Sequence, residues 1–256
     1  MIFRPYFRIA TKEEMAQAVE KFPVLPFFPN NVRGLSIQEM CAPGMLFGGN
    51  YDEGCWEWKG PVIRKRTVAY GKFFNRKAGF ISLQVLPEFL NYRRKAYPIK
   101  PDSTEEMLLE IIKENDSLTS TELKKLIFGE YKRESWDELP EASKPSPGHR
   151  PDFIDPEGEG LRGSQDKPRK KKSLEGPLQR LQMAGRIIIS DFEYKRTRNG
   201  ERYGWGVARY STPEVVFGSS LKIPDEDSSQ SLDSIITTLK KLFPLVSSSS
   251  LRSLLK

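Results

Sequence analysis

Residues 173–212 decide the fold, and they read SLEGPLQRLQMAGRIIISDFEYKRTRNGERYGWGVARYST. The apolar residues at the start of this stretch recur at helical spacing, and they are Leu174, Leu178, Leu181 and Ala184. Gly185 then marks the end of the helix, and a run of isoleucines begins a strand. Asn199–Gly200 is a strong signal for a tight β-hairpin turn. The stretch therefore predicts a helix followed by a two-stranded hairpin.

Two further helices are predicted upstream. Ser103 and Thr119 each precede a glutamate by three residues, which is the spacing of a helix capping box. Apolar residues at helical spacing predict helices over 104–114 and 119–128. Three helices followed by a hairpin are typical of a winged helix-turn-helix, whose third helix can lie in the major groove of DNA.

The predicted third helix and the hairpin, or wing, carry side chains suited to DNA. On the helix, the side chains expected to be exposed are Gln179, Arg180, Gln182 and Arg186. The wing contributes Lys195, Arg196, Arg198 and Arg202, and the segment before the helix contributes Arg169, Lys170, Lys171 and Lys172. Glutamine and arginine can pair with base edges, while clustered cations neutralise phosphates. We expect the rings of Tyr203 and Trp205 to hold the sheet against the helices.

The same wing has two other interpretations. Lysine and arginine often protect an exposed strand edge, so the hairpin could simply be solvated. Winged helices also serve as protein-interaction modules. The sequence favours double-stranded DNA as the partner without excluding a protein.

Residues 1–100 are predicted to form an α+β domain. Thr11 and Ser36 each begin a capping box, and "RTVAYGKFF" and "GFISLQVL" predict a β-hairpin that pairs residues 67–74 with 80–85. A short helix over "LPEFLNYRRKA" follows. A second basic patch lies around this hairpin and comprises Lys59, Arg64, Lys65, Arg66, Lys72, Arg76 and Lys77. Interleaved with rings such as Trp56 and Trp58, it could grip nucleic acid or could simply surround a small core.

The rest of the chain divides by composition. A winged-helix domain is predicted over 101–218, with a Pro/Gly/acidic insertion at about 130–172, before the third helix. Residues 219–256 are predicted to be a linker and a C-terminal helix over 232–243. The apolar face of that helix must be covered, either by the protein's own body or by a second copy, so a monomer and a homodimer both stay open.

Composition restricts the class of protein. The chain has 256 residues, a net charge of +7 and a pI of about 9.3, which suit a soluble protein with a polyanionic partner. Two cysteines without a CxxC pattern and a single histidine, His149, favour neither a disulfide framework nor a metal site. No apolar run has the length of a membrane span or of a signal peptide. We expect a cytoplasmic protein without cofactor, metal or membrane.

Two segments resemble a known family. "CWEWKGPVIRKRTVAYGKFFNRKAGFISLQVLPEF" and "LQRLQMAGRIIISDFEYKRTRNGERYGWGVARYSTPEVVFG" are similar to the small AlkZ-related winged-helix proteins of bacteria, distant relatives of the AlkZ/YcaQ-type DNA glycosylases. The similarity covers most of residues 50–218 outside the insertion, and it is clearest at Trp56–Lys59, "YGK" at 70–72 and Gly185–Gly206.

The resemblance implies binding to duplex DNA, in repair or in transcriptional control. The glycosylases position a water with a Q-x-Q or Q-x-D pair, and this sequence contains neither; Gln179 and Gln182 have a different spacing. No catalytic residue is therefore predicted, and a non-enzymatic protein is favoured. A glycosylase with other catalytic residues and a non-catalytic protein-interaction module are the alternatives.

Overall fold

The computed structural model describes residues 8–48, 54–129, 173–200 and 202–255. Among these residues no helix has the length and apolar character needed to cross a membrane. The protein is a mixed α+β fold with small antiparallel sheets. The helices, in chain order, are α1 Lys12–Lys21, α2 Ile37–Met40, α3 Cys55–Arg64, α4 Leu86–Ala96, α5 Thr104–Glu114, α6 Ser120–Phe128, α7 Glu175–Met183, α8 Pro213–Phe217, α9 Ser228–Leu242 and α10 Ser248–Leu254.

Six described strands form two three-stranded sheets. The strands are β1 Val24–Pro26, β2 Val68–Phe74, β3 Lys77–Ser82, β4 Ser117–Thr119, β5 Ile188–Arg196 and β6 Arg202–Ser211. The first sheet has the order β1-β3-β2, and the second has the order β4-β6-β5. All the pairings are antiparallel.

The capping patterns fix the starts of the helices as expected. The Thr11 hydroxyl accepts from the backbone N–H of Glu14, whose carboxylate accepts from Thr11 N–H in return. Thr119 and Glu122 make the same reciprocal pair at the start of α6. These contacts satisfy amide groups that have no partner within the helix, so short polar motifs suffice to set the boundaries.

The first hairpin forms, but its second strand begins earlier than predicted. Asn75 and Arg76 both have positive φ values, 47° and 68°, so the turn is completed in two residues and β3 starts at Lys77. Gly79, expected in the connection, lies inside β3. A Cβ there would come within 2.4 Å of the Phe74 ring, so this glycine permits close packing rather than a turn.

Helix α3 and the short strands β1 and β4 were not predicted. Gly60 and Pro61 lie inside α3 and weaken its sequence signal. Strands β1 and β4 have three residues each, too few to show alternation. Their positions depend on pairing with β3 and β6, which is a tertiary effect.

The chain divides into two compact units, one of residues 1–123 and 174–256 and the other of Lys124–Ser173. The hydrophobic core of the first unit joins residues from all three predicted domains, including Phe80, Ile188 and Leu239. The boundaries predicted at 100 and 218 remain proposals. In the second unit the described residues are 124–129, which complete α6, and Ser173.

The C-terminal helix docks in cis. Helix α9 packs along α4, and its apolar face buries Ile235, Ile236 and Leu239. Asn91 of α4 donates one hydrogen bond of 2.8 Å to the Ser231 hydroxyl and another to a backbone carbonyl just before α9. The apolar stripe read from the sequence is therefore covered by the protein itself.

Candidate nucleic-acid interface

The wing is a long hairpin with a basic tip. Strands β5 and β6 are joined by a turn in which Gly200 has a φ of +83° and its N–H donates to the Thr197 carbonyl at 3.0 Å. The Arg196 guanidinium donates to the Gly200 carbonyl at 2.9 Å, which rigidifies the loop. The side chains of Lys195, Arg196 and Arg198 are exposed. The structure therefore presents three predicted cations together on the turn that the sequence located.

The end of the wing far from its turn, around Arg209, is held by this arginine, which was not predicted from the sequence. Arg209 of β6 pairs with Glu122 and Glu193, and it donates to the Ser117 carbonyl at 2.8 Å. It thus ties β4, α6 and β5 to the central strand. The alternation of residues along the strand does not distinguish this bridging arginine from the cations at the tip of the wing.

A cleft of about 470 Å³ lies beside Arg209 and brings two members of the second predicted basic patch next to this arginine. It is lined by Arg64, the last residue of α3, by Arg66 just after the helix, and by Arg209 of the wing. Arg64 is 3.6 Å from the carboxylate of Asp191, and Arg66 is exposed. The Asp191 carboxylate and the hydroxyl groups of serines 117, 190 and 211 are the other polar groups in this lining. Guanidinium and hydroxyl groups suit a phosphate oxygen, whereas the Asp191 carboxylate in the same lining opposes an anion.

Helix α7 does not present Gln182, and the expectation that this side chain is exposed is wrong. Gln182 is only 2% exposed; its amide oxygen accepts from the backbone N–H of Lys72 at 3.0 Å, and its amide nitrogen donates to the Leu178 carbonyl at 3.2 Å. The residue anchors α7 to β2. Gln182 lies one helical turn after the buried Leu178, so it can face the core. The sequence did not reveal that β2 covers this side of the helix.

The other three predicted residues of this helix differ in exposure. Arg180 is exposed and pairs with Glu105 of α5. Gln179 is half-buried, and its amide nitrogen lies 3.5 Å from the Arg76 carbonyl. Arg186 is half-buried, and desolvation lowers its pKa, helped by the nearby Arg94. The β2–β3 turn thus covers part of the face that was expected to read bases.

Lys59 does not belong to a surface patch, which corrects the sequence prediction for this residue. It is 4% exposed, its Nζ donates to the Trp56 carbonyl at 2.6 Å, and it lies 3.7 Å from the centroid of the Trp56 ring. Burial lowers the pKa of Lys59 to about 7, against the smaller raising effect of Glu57. The lysine is therefore part of the packing between α3 and the wing rather than a free surface cation.

The remaining members of the second basic patch lie at the surface. Lys65, Arg76 and Lys77 are exposed, the last two at the β2–β3 turn and the start of β3. Lys72 is half-buried and lies 3.5 Å from the carboxylate of Glu175. Arg169, Lys170, Lys171 and Lys172 lie outside the described residues, as does the side chain of Arg202.

An aromatic surface beside the wing was not expected. Trp205 of β6 is 54% exposed and meets the rings of Trp56 and Phe47 nearly at right angles, with centroids 5.9 and 6.5 Å apart. Phe47 is also 54% exposed. The expectation that Trp205 simply packs the sheet onto the helices is therefore wrong in part, since half of its surface faces solvent. The side chain of Tyr203 lies outside the described residues.

A polar contact beneath this surface fixes the wing to α3. The Tyr194 hydroxyl of β5 donates to the buried carboxylate of Glu57. Gly206 makes room for the Tyr194 ring, because a Cβ at this position would lie 2.7 Å from it. Gly206 thus gives space to a neighbouring side chain and does not form a turn.

A comparison with family models settles the relationship. The model of the AlkZ-related family matches residues 9–256. The chain belongs to the AlkZ-related family. Searches of curated proteins and of solved structures found no significant match. Membership of the family associates the chain with DNA binding and DNA repair.

Proposed function

We propose that this AlkZ-related protein binds double-stranded DNA through a winged helix formed by α5, β4, α6, α7, β5 and β6. The supporting observation is the order of these elements, helix–strand–helix–helix–strand–strand, together with a sheet in which β6 lies between β4 and β5. A helix-turn-helix of this kind places helices against one face of the sheet and leaves the hairpin to extend from the body.

The charge of the hairpin supports contact with phosphates. Its tip presents three exposed cations, whereas the carboxylates of its strands have partners: Asp191 pairs with Arg64, and Glu193 with Arg209. The net charge of the tip therefore faces solvent without local compensation from these acids. Such a cluster releases counterions when it meets a nucleic-acid backbone, which is the main source of sequence-independent affinity.

The burial of Gln182 favours backbone recognition over direct reading of bases. Phosphate contacts position a protein on DNA but carry no sequence information, and specificity needs side chains at the base edges. With Gln182 bound to β2 and Arg180 paired with Glu105, α7 offers fewer groups for that purpose than its sequence suggested. We therefore propose weak preference among undamaged sequences.

A triple variant of the wing tip tests the proposal. Changing Lys195, Arg196 and Arg198 to glutamate should weaken binding to every duplex and should lower the slope of log affinity against log salt by about one unit for each lost phosphate contact. The measurement is a fluorescence-anisotropy titration at several salt concentrations. The matched control changes Lys12, Lys222 and Lys241, which are exposed on other elements, to glutamate and so has the same net charge. Equal losses in the two variants would leave only a general charge effect and would refute the wing as a contact.

The two alternatives stay predictions from the sequence. A screen for release of alkylated bases from duplex DNA tests the glycosylase alternative. Wild-type protein that fails to bind any duplex at low salt would instead favour the protein-interaction module.

A further inference from the structure

Phosphate binding by the wing does not account for the aromatic surface formed by Phe47, Trp56 and Trp205. Trp205 and Phe47 expose more than half of their surface, whereas Trp56 between them is half-buried and continues into the core through Phe27. Exposed, adjacent aromatic side chains cost hydrophobic free energy in a free protein and commonly mark a binding surface.

More than half of the Trp205 side chain is open to solvent. Trp56 and Phe47 meet Trp205 with interplanar angles of 88° and 82°. Within the part of the chain that the structure describes, no ring lies parallel on Trp205. The exposed part of this ring is where a flat aromatic ligand would stack.

The charge around this surface favours a nucleic acid as the occupant. Trp205 lies on the wing strand two residues from Tyr203, whose register partner is the exposed Lys195. Two acids of the described part of the chain near this surface are engaged within the protein: Glu57 by the Tyr194 hydroxyl and Glu193 by Arg209. Rings next to exposed cations form the combination that binds bases by stacking and phosphates by charge.

We propose that the face of Trp205, bordered by Phe47, stacks an unpaired nucleobase while the wing tip holds the adjoining phosphates. The proposal rests on the wing being a DNA contact, as inferred above, and adds that this protein prefers DNA containing unpaired bases. An unpaired base is already free of its duplex partner, so stacking on the protein costs less than extracting a paired base.

The test compares a fully paired duplex with the same duplex carrying a bulge of three unpaired thymidines. The full-length proteins are wild type, Trp205→Ala, Trp205→Phe and, as a matched control, Leu245→Ala, which alters an apolar side chain that is 74% exposed between α9 and α10. Anisotropy titrations give the ratio of the two affinities for each protein. Stacking on an aromatic side chain is worth about 5- to 150-fold per base. We expect Trp205→Ala to lose at least about fivefold of the preference for the bulge, Trp205→Phe to keep most of it, and Leu245→Ala to match wild type.

A second readout does not depend on duplex binding. Oligothymidylate stacked on Trp205 should quench the intrinsic fluorescence of the wild type, and the quenching should disappear in Trp205→Phe. The chain has four tryptophans, so the difference between these two proteins isolates the one in the wing.

The outcomes separate the two proposals. Duplex binding with the same affinity ratio in wild type and Trp205→Ala overturns the base site and leaves the winged-helix proposal standing. Quenching that depends on Trp205, without any binding to paired duplex, supports the base site and contradicts the proposal that the winged helix binds double-stranded DNA. A wild-type dimer that becomes a monomer in Trp205→Ala, with no quenching by oligothymidylate, assigns the surface to a contact between copies and overturns the base site.

Discussion

At the scale of single residues, burial rather than residue type determines what the polar side chains do. Lys59 and Gln182 both come from sequence segments rich in basic or amide side chains, yet both are buried and hydrogen-bonded to backbone groups. Arg93 is a further case: it is fully buried, donates to the Phe73 carbonyl at 2.5 Å and lies close to the ring of Phe89. Desolvation lowers the pKa of this arginine, while the nearby tyrosines oppose the change. The hydrogen bonds of Gln182 and Arg93 join α7 and α4 to β2, whereas that of Lys59 lies within α3.

Lys59 gives a prediction about stability and pH. Its pKa is about 7 in the folded protein and returns to 10.5 in the unfolded chain, so above pH 7 the unfolded chain binds more protons. The cost of burying this lysine should therefore diminish as pH rises from 7 towards 10, by at most about 1.4 kcal/mol per pH unit. Below pH 7 the lysine is protonated in both states and the dependence should vanish. Urea unfolding of wild type and Lys59→Met at pH 6, 7.5 and 9 measures the difference. A constant difference across these pH values contradicts the assignment.

At the scale of elements, the short polar signals at chain turns were the most reliable. Thr11, Thr119 and Asn199–Gly200 each place an element boundary where the structure has one, because a cap or a tight turn depends on a few neighbouring residues. Elements that need a distant partner, such as β1 and β4, carried weaker signals. The wing combines both kinds: its turn is local, but its attachment through Tyr194 and Glu57 is not.

Helix α9 supplies a prediction at this scale. Leu239 is fully buried against α4, whereas Leu242 on the same helix is exposed. Replacing Leu239 with alanine should lower the free energy of unfolding by about 2–5 kcal/mol, since it removes buried apolar atoms and leaves a cavity. Leu242→Ala is the matched control and should change it by no more than about 0.5 kcal/mol. Urea denaturation of both variants measures the effect, and equal losses would show that α9 does not dock through this face.

At the scale of the whole molecule, the core is shared between regions far apart in sequence. The side chains of Tyr70 and Phe192, from the first hairpin and the wing, have ring centroids 6.0 Å apart, and Phe22 stacks on Phe243 near the C-terminus. The hairpin of the N-terminal region, the wing and the C-terminal helix thus contribute to one hydrophobic core. The position of the wing consequently depends on packing against residues from several distant parts of the chain.

The insertion gives the corresponding prediction. Residues 134–166 lie outside the described residues, and their composition predicts that they add little to a core. A chain in which a short Gly/Ser linker replaces them should keep its melting temperature, as measured by circular dichroism. A control with a Gly/Ser segment of the original length separates the effect of length from that of sequence. A large fall in melting temperature in both variants would show that the segment packs.

The sequence by itself determined the capped helices, the two hairpins, the apolar stripe of α9 and the basic tip of the wing. These features depend on hydrogen bonds and periodicities within a few residues, so they can be read locally. Only the tertiary structure decided that Lys59 and Gln182 are buried, that Arg64 and Arg66 join Arg209 at one cleft, and that Trp205 meets Phe47 and Trp56 at the surface. The physical reason is that the charge, accessibility and neighbours of a side chain depend on which distant elements cover it, and those contacts form only when the shared core assembles.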